Sequence, residues 1–98
     1  MADYFDRTGA PINPERLRAL MDDRQYRLVA DSSLTDGHHL TTEWVGFDHR
    51  TMTNSRAPAP LIFESELYPE REVRRYATEK EARSGHEAWV TELQGKYH

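Results

Sequence analysis

Asp48, His49 and His86 are the residues of this 98-residue chain whose types could do chemistry together. An adjacent Asp-His pair with a second, distant histidine can hold a divalent metal, or can form an acid/base couple in which the carboxylate orients an imidazole. His38-His39 follows the turn residues Asp36-Gly37 and reads as a solvated turn, with metal binding as its alternative. Glu64 and Glu66 share a strand face in "LIFESELY" and resemble paired carboxylates, although an exposed sheet face with cross-strand partners accounts for them more simply. "EREVRR" mixes both signs of charge and reads as a solvated strand edge rather than a phosphate-binding stripe. There is no His-Glu-x-x-His, no glycine-rich phosphate loop and no Gly-x-Ser-x-Gly elbow. Cysteine is absent, which removes thiolate metal sites, cysteine nucleophiles and disulfides, and no cofactor is implied.

His86 is the informative one of the three. In "YATEKEARSGHEAWVTEL", Ala82, His86, Trp89, Val90 and Leu93 recur at spacings of three and four, with Tyr97 continuing the series. The histidine therefore lies in the apolar stripe of a helix that faces a core. Beside it is Gly85, which costs a helix about 1 kcal/mol relative to alanine. The usual compensation is close approach of another backbone or a large ring, and Gly46 is the expected partner. This placement predicts a buried, hydrogen-bonded histidine, with a metal or catalytic role alongside Asp48 and His49 as the competing reading.

The elements that must position these residues follow from pattern. "YFDRTGAPI" predicts a small hairpin, Tyr4-Phe5 against Pro11-Ile12, closed by a type I turn at Asp6 to Gly9. Asn13 as N-cap and Pro14 at the first helical position open a helix to about Asp23, with Leu17, Leu20 and Met21 on one face. Strands are predicted over Tyr26–Asp31, His39–Asp48, Leu61–Tyr68 and Val73–Tyr76. The proline-bounded "RTMTNSRAPAP" reads as the one long, mobile loop. Thr78 and Glu81 form a capping box for the C-terminal helix. The expected fold class is α+β: a small antiparallel meander of three to four strands, a C-terminal helix packed across it and a short N-terminal helix, in one domain over residues 1–98.

If Trp44 faces that helix, the opposite sheet face presents Val45, Phe47, Ile62 and Tyr68. The N-terminal helix, through Leu17, Leu20 and Met21, covers only part of it. The remainder is a candidate surface for a partner protein or a homodimer. Composition narrows the partner classes: 17 acidic and 13 basic residues are interleaved at a net charge of -4, so no field steers the chain onto nucleic acid or an anionic membrane. With no apolar run of membrane-spanning length and no signal-peptide pattern, a soluble cytoplasmic protein is the expectation.

The succession "YFDRTGAPI", "TTEWVGFDH", "PLIFESELY" and "RRYATEKEARSGH" resembles a family of small proteins encoded by tailed phages and prophages. Its pattern runs Tyr-x-Asp-x-x-Gly-x-Pro-Ile, then Val-Ser-Thr-Val-Trp-Leu-Gly-Leu-Asp-His, Pro-Leu-Ile-Phe-Glu-Thr and Arg-Tyr-x-Thr-x-x-Glu-Ala-x-x-Gly-His. The likeness covers almost the whole chain and falls on Asp6, Gly9 and Pro11, on Trp44, Gly46, Asp48 and His49, on Pro60, Phe63 and Glu64, and on Tyr76, Thr78, Gly85 and His86. Thr41, Thr42 and Glu43 depart from Val-Ser-Thr, and Glu66 stands where the pattern has an apolar residue. The family brings no established activity. It implies a small accessory protein inside an infected bacterium; the leading expectation for its function, from a small sheet-and-helix scaffold without a catalytic signature, is binding of a host or phage protein that modulates host physiology or defence. The alternative is a small metal-dependent or acid/base enzyme built on Asp48, His49 and His86.

Overall fold

In the computed structural model, which describes residues 3–34, 37–48 and 59–96, four antiparallel strands follow one another in sequence order. They are β3 (Leu28–Ser33), β4 (His39–Trp44), β5 (Phe63–Tyr68) and β6 (Glu72–Tyr76), preceded by a separate hairpin of β1 (Tyr4–Phe5) and β2 (Pro11–Ile12). The helices are α1 (Pro14–Met21), α2 (Arg24–Arg27) and α3 (Glu79–Lys96). The expected α+β meander with its two flanking helices is what the chain forms.

Boundaries shift for local reasons. Asp23 caps a short α2 through a bond from the Tyr26 amide, so the third strand starts at Leu28 rather than Tyr26. β4 stops at Trp44 rather than Asp48, because Gly46 adopts φ +80° and turns the chain away. β5 begins at Phe63, not Leu61, and α3 continues past Leu93 to Lys96. Of the expected long loop, only Ala59 and Pro60 lie within the described residues.

Period-two alternation sorts each strand onto two faces. On the inner face the rows are Trp44–Phe63–Tyr76, then Ala30–Thr42–Ser65–Arg74, then Ser32–Leu40–Leu67–Glu72. α3 runs over this face with Ala82, His86, Trp89 and Leu93 buried beneath it. Thr78 opens that helix: its hydroxyl accepts from the Glu81 amide at 3.1 Å and donates to the Glu81 carboxylate at 3.0 Å.

The N-terminal elements close the Trp44 end of the same face. The Trp44 indole donates to the Phe5 carbonyl at 2.9 Å, the Phe5 amide to the Gly46 carbonyl at 2.8 Å, and Tyr26 meets Trp44 edge-on. Leu20 joins the cluster of Val29, Trp44, Ile62, Phe63 and Ala82. The N-terminal helix therefore packs on the α3 side, which corrects the expectation that it covers the opposite face. Arg7 ties the corner by bonding the Tyr26 carbonyl at 2.7 Å and Glu79 at 2.8 Å. Burial opposes ionisation of Glu79, but the bonds from Arg7 and Arg83 outweigh it and hold the carboxyl below its usual range. Among the described residues, no helix is long and apolar enough to cross a membrane.

Candidate functional site

Among the described residues the core has two apolar clusters, and a polar row separates them. Leu20, Val29, Trp44, Ile62, Phe63 and Ala82 make one, and Leu40, Leu67, Trp89 and Leu93 the other. Between them lie Thr42 from β4, Ser65 from β5 and His86 from α3, with relative exposures of 0%, 0% and 4%. Ser32, on β3 in the neighbouring inner-face row, reaches His86 from the sheet edge and joins this group. Buried polar groups of this kind are tolerated when they satisfy one another.

They do so here in a continuous chain. The Ser32 hydroxyl lies 2.9 Å from Nε2 of His86, Nδ1 of His86 lies 2.7 Å from the Thr42 hydroxyl, and that hydroxyl lies 2.5 Å from Ser65. A neutral imidazole donates at one nitrogen and accepts at the other, and a hydroxyl can do either, so the row closes in either tautomer. Burial holds the His86 pKa below the usual histidine value against a weaker upward pull from Asp31 and Glu87. Burial thus favours the uncharged ring.

The Ser32–His86 contact has the outline of a nucleophile and its base. In that role the second ring nitrogen would meet a carboxylate that stabilises the imidazolium. It meets the Thr42 hydroxyl instead, and the chain ends inside the core at Ser65. The row therefore fixes the orientation of His86 without raising its basicity.

Gly85 sits beside this row for a steric reason. A Cβ at Gly85 would lie 2.3 Å from the Tyr76 ring, so the partner in close approach is that ring and not Gly46, as the sequence suggests. Gly46 lies just past Trp44 at the same end of the sheet but against the N-terminal helix, where a Cβ would lie 2.6 Å from Leu17 and 3.0 Å from Trp44. Among the described residues, the buried Tyr76 hydroxyl has no hydrogen-bond partner.

Asp48 is not part of the row. It lies past the Gly46 turn, beyond Trp44, and its Oδ2 accepts from the Leu61 amide at 3.1 Å. His49 is outside the described residues. Among those described, no three His, Asp or Glu side chains are placed to share a metal ion. His38 and His39 are more engaged than a solvated turn implies: His38 meets Glu70 at 2.5 Å, and His39 pairs with Asp31 and lies 3.2 Å from the Ser33 hydroxyl. Two clefts of about 290 Å³ each lie elsewhere. One is bounded by Arg7, Pro60, Thr78 and Glu79, the other by Glu70, Glu72 and Glu92 around Arg74, whose guanidinium stacks 4.0 Å from the Trp89 ring centre.

The four residues expected to form an apolar outer patch do not share one surface. Ile62 is 2% exposed within the core, Val45 and Phe47 lie beyond the end of β4, and only Tyr68 stands on the outer sheet face. The reason is the Gly46 turn, which ends the alternation before it reaches Phe47. The outer face carries ion pairs instead, Arg27 with Glu43, Arg75 with Glu64 and Arg71 with Glu66. Among the described residues, no side chain on this face is buried.

Sequence reading missed Ser32, Thr42, Ser65 and Tyr76. The available signal was a hydroxyl at the centre of each apolar strand face, Thr42 between Leu40 and Trp44 and Ser65 between Phe63 and Leu67, matched by a histidine in the helix stripe. No family model, curated protein or solved structure matches the chain.

Proposed function

We propose that this chain is a non-enzymatic accessory protein of a tailed phage or prophage, acting in the host cytoplasm by binding a host or phage protein. One observation carries the binding part of this reading. The side chains best suited to chemistry are closed on one another inside the core, whereas the outer sheet face is uncovered among the described residues. A four-stranded sheet braced from behind by α3 presents Leu28, Thr41, Val73 and Tyr68 among paired charges, a rigid mixed surface of the kind that protein partners use. The phage setting is supported by the motif succession alone.

The test uses tagged protein in a phage-infected bacterium, with cross-linking and mass spectrometry. Thr41→Arg, between Asp31 and Glu66 at the centre of the face, and Leu28→Glu should leave melting unchanged and reduce capture of the specific partner at least tenfold. Cross-links concentrated on α3, or a partner indifferent to both changes, would refute the outer-face reading. Stoichiometric stabilisation by zinc, abolished by His49→Ala or His86→Gln, would replace it with the metal or acid/base reading on Asp48, His49 and His86.

A further inference from the structure

Among the described residues the meander leaves two edge strands, β3 and β6: β3 is interrupted by a bulge and a side chain bonded to its backbone, whereas β6 keeps a regular ladder and carries only charges, Glu72, Arg74 and Arg75. Natural sheets protect edges with bulges, inserted charges and side chains that occupy the outward backbone groups. β3 has a register shift between Leu28 and Ala30, and the Arg83 guanidinium donates to its Val29 carbonyl at 3.3 Å. β6 pairs with β5 in unbroken register from Glu72 to Tyr76, and Val73 on its outer face is 36% exposed.

We propose that β6 pairs antiparallel with β6 of a second copy of this chain, extending the sheet to eight strands about a two-fold axis at Val73. Symmetry restricts the choice. Residues opposite each other in an antiparallel pair point to the same face, so a two-fold axis perpendicular to the sheet must pass through a residue, not between two. Centring on Glu72, Arg74 or Arg75 sets like charges against each other at the axis, and centring on Tyr76 leaves Tyr76 as the only residue of β6 facing β6 of the other copy. Centring on Val73 sets valine against valine on the outer face and, on the inner face, Glu72 against Arg74 of the other copy, twice, each Arg74 being shared with Glu92 of its own chain at 3.2 Å. The pairing stops at Arg71, a turn residue at φ 65° that falls opposite Arg75 of the other copy, and each of these arginines already has a glutamate of its own chain, Glu66 and Glu64.

The helices leave room for this arrangement. α3 directs Arg83 and His86 towards β3 and directs Gly85, Trp89 and Glu92 towards β6, so its axis lies over the middle of the sheet. With strands about 4.8 Å apart, the two copies of α3 stay well clear of each other across the joined edge. The cleft of Glu72, Arg74 and Trp89 from each copy then opens into one groove between them. Three facing residues from each β6 make a small interface, so the dimer belongs to the reversible, concentration-dependent class. It would double the outer face without depending on the heterologous partner proposed above.

Sedimentation equilibrium over a wide concentration series should show a monomer–dimer equilibrium. Glu72→Arg, which turns two attractive pairs into repulsive ones, should raise the dissociation constant at least tenfold with little change in melting. Because the chain has no cysteine, Val73→Cys offers an independent readout: residues opposite in an antiparallel pair are about 4.5–5.5 Å apart at Cα, within disulfide reach. Under mild oxidation Val73→Cys should cross-link to a covalent dimer, and Arg75→Cys should not. A monomer at every concentration, a dimer indifferent to Glu72→Arg, or a dimer that Val73→Cys fails to cross-link would overturn the proposal. Protection of β6 amides only by an added foreign protein would assign the edge to that partner instead.

Discussion

Thr42 and Ser65 stand opposite each other on the inner face of the sheet and share a hydrogen bond. One residue further along, on the outer face, Glu43 and Glu64 also stand opposite each other, and each is neutralised from the flank, by Arg27 at 3.6 Å and Arg75 at 3.5 Å. The same pair of strands thus meets the same problem, two polar groups brought together by register, with two different solutions. Inside, water is excluded and only mutual hydrogen bonds can compensate for desolvation. Outside, water does most of that work, and the arginines need only relieve like-charge repulsion. Substitutions should therefore be costly on the inner face and cheap on the outer one.

The largest effect is expected at Thr42. Thr42→Val keeps the shape but removes the hydroxyl that serves both Nδ1 of His86 and Ser65. Two buried polar groups are left with one partner fewer, which should cost about 2–4 kcal/mol in denaturant unfolding. A loss below about 1 kcal/mol would mean that water enters the row and that the inner face is not dry.

Next comes Gly85. Gly85→Ala improves helix propensity yet places a Cβ against the Tyr76 ring, and overpacking of this kind should destabilise by about 1–3 kcal/mol. Gly85→Leu should be worse. In a Tyr76→Leu background the alanine substitution should become neutral or favourable, and a double-mutant cycle measures that coupling. A higher melting temperature for Gly85→Ala in the parent would show that the ring simply moves aside.

Most of the fold was legible in the sequence because alternation and capping are local signals. The order of Leu40, Thr42 and Trp44, the caps at Asn13 and Thr78, and the stripe through His86 all lie within a few residues of one another. What was not legible depends on register. That Thr42 meets Ser65, that the helix brings His86 down on Thr42, and that Gly85 meets Tyr76 require knowing which residues face each other across strands and between layers. Gly46 shows the same limit. As part of a strand Gly46 would be a contact point for the helix, but its positive φ makes it the end of the strand, and with that turn the apolar outer patch through Phe47 disappears.

The two faces should also separate in pH. The pKa of His86 is depressed in the folded state by burial, so below the ordinary histidine value of 6.5 the unfolded chain takes up the proton first. Its contribution to stability is complete above that value and is lost as pH falls through the folded pKa. On the outer face Glu66 is held below its usual value, since the bonds from Arg71 and Tyr68 outweigh the opposing effect of burial. Its contribution is lost only as pH falls below the carboxylate value of 4.5. Melting curves from neutral to acid should show the inner-face slope first. His86→Gln should be less stable at pH 7 and lose that slope, while keeping the later one.

The smallest effect tests the outer face itself. Glu64→Gln removes the ion pair with Arg75 but also the repulsion from Glu43 across the strand. These two contributions oppose each other, and both side chains keep contact with water, so the net change should be about 0.5 kcal/mol or less in either direction. Salt separates them from an inner-face effect: raising ionic strength should shrink the Glu64→Gln difference further while leaving the Thr42→Val difference unchanged. A loss above about 1 kcal/mol on Glu64→Gln, insensitive to salt, would mean that the outer charges are desolvated. That result would require this face to be covered in the folded protein, by a second copy or by residues of the chain outside those described, and would remove the contrast between the two faces.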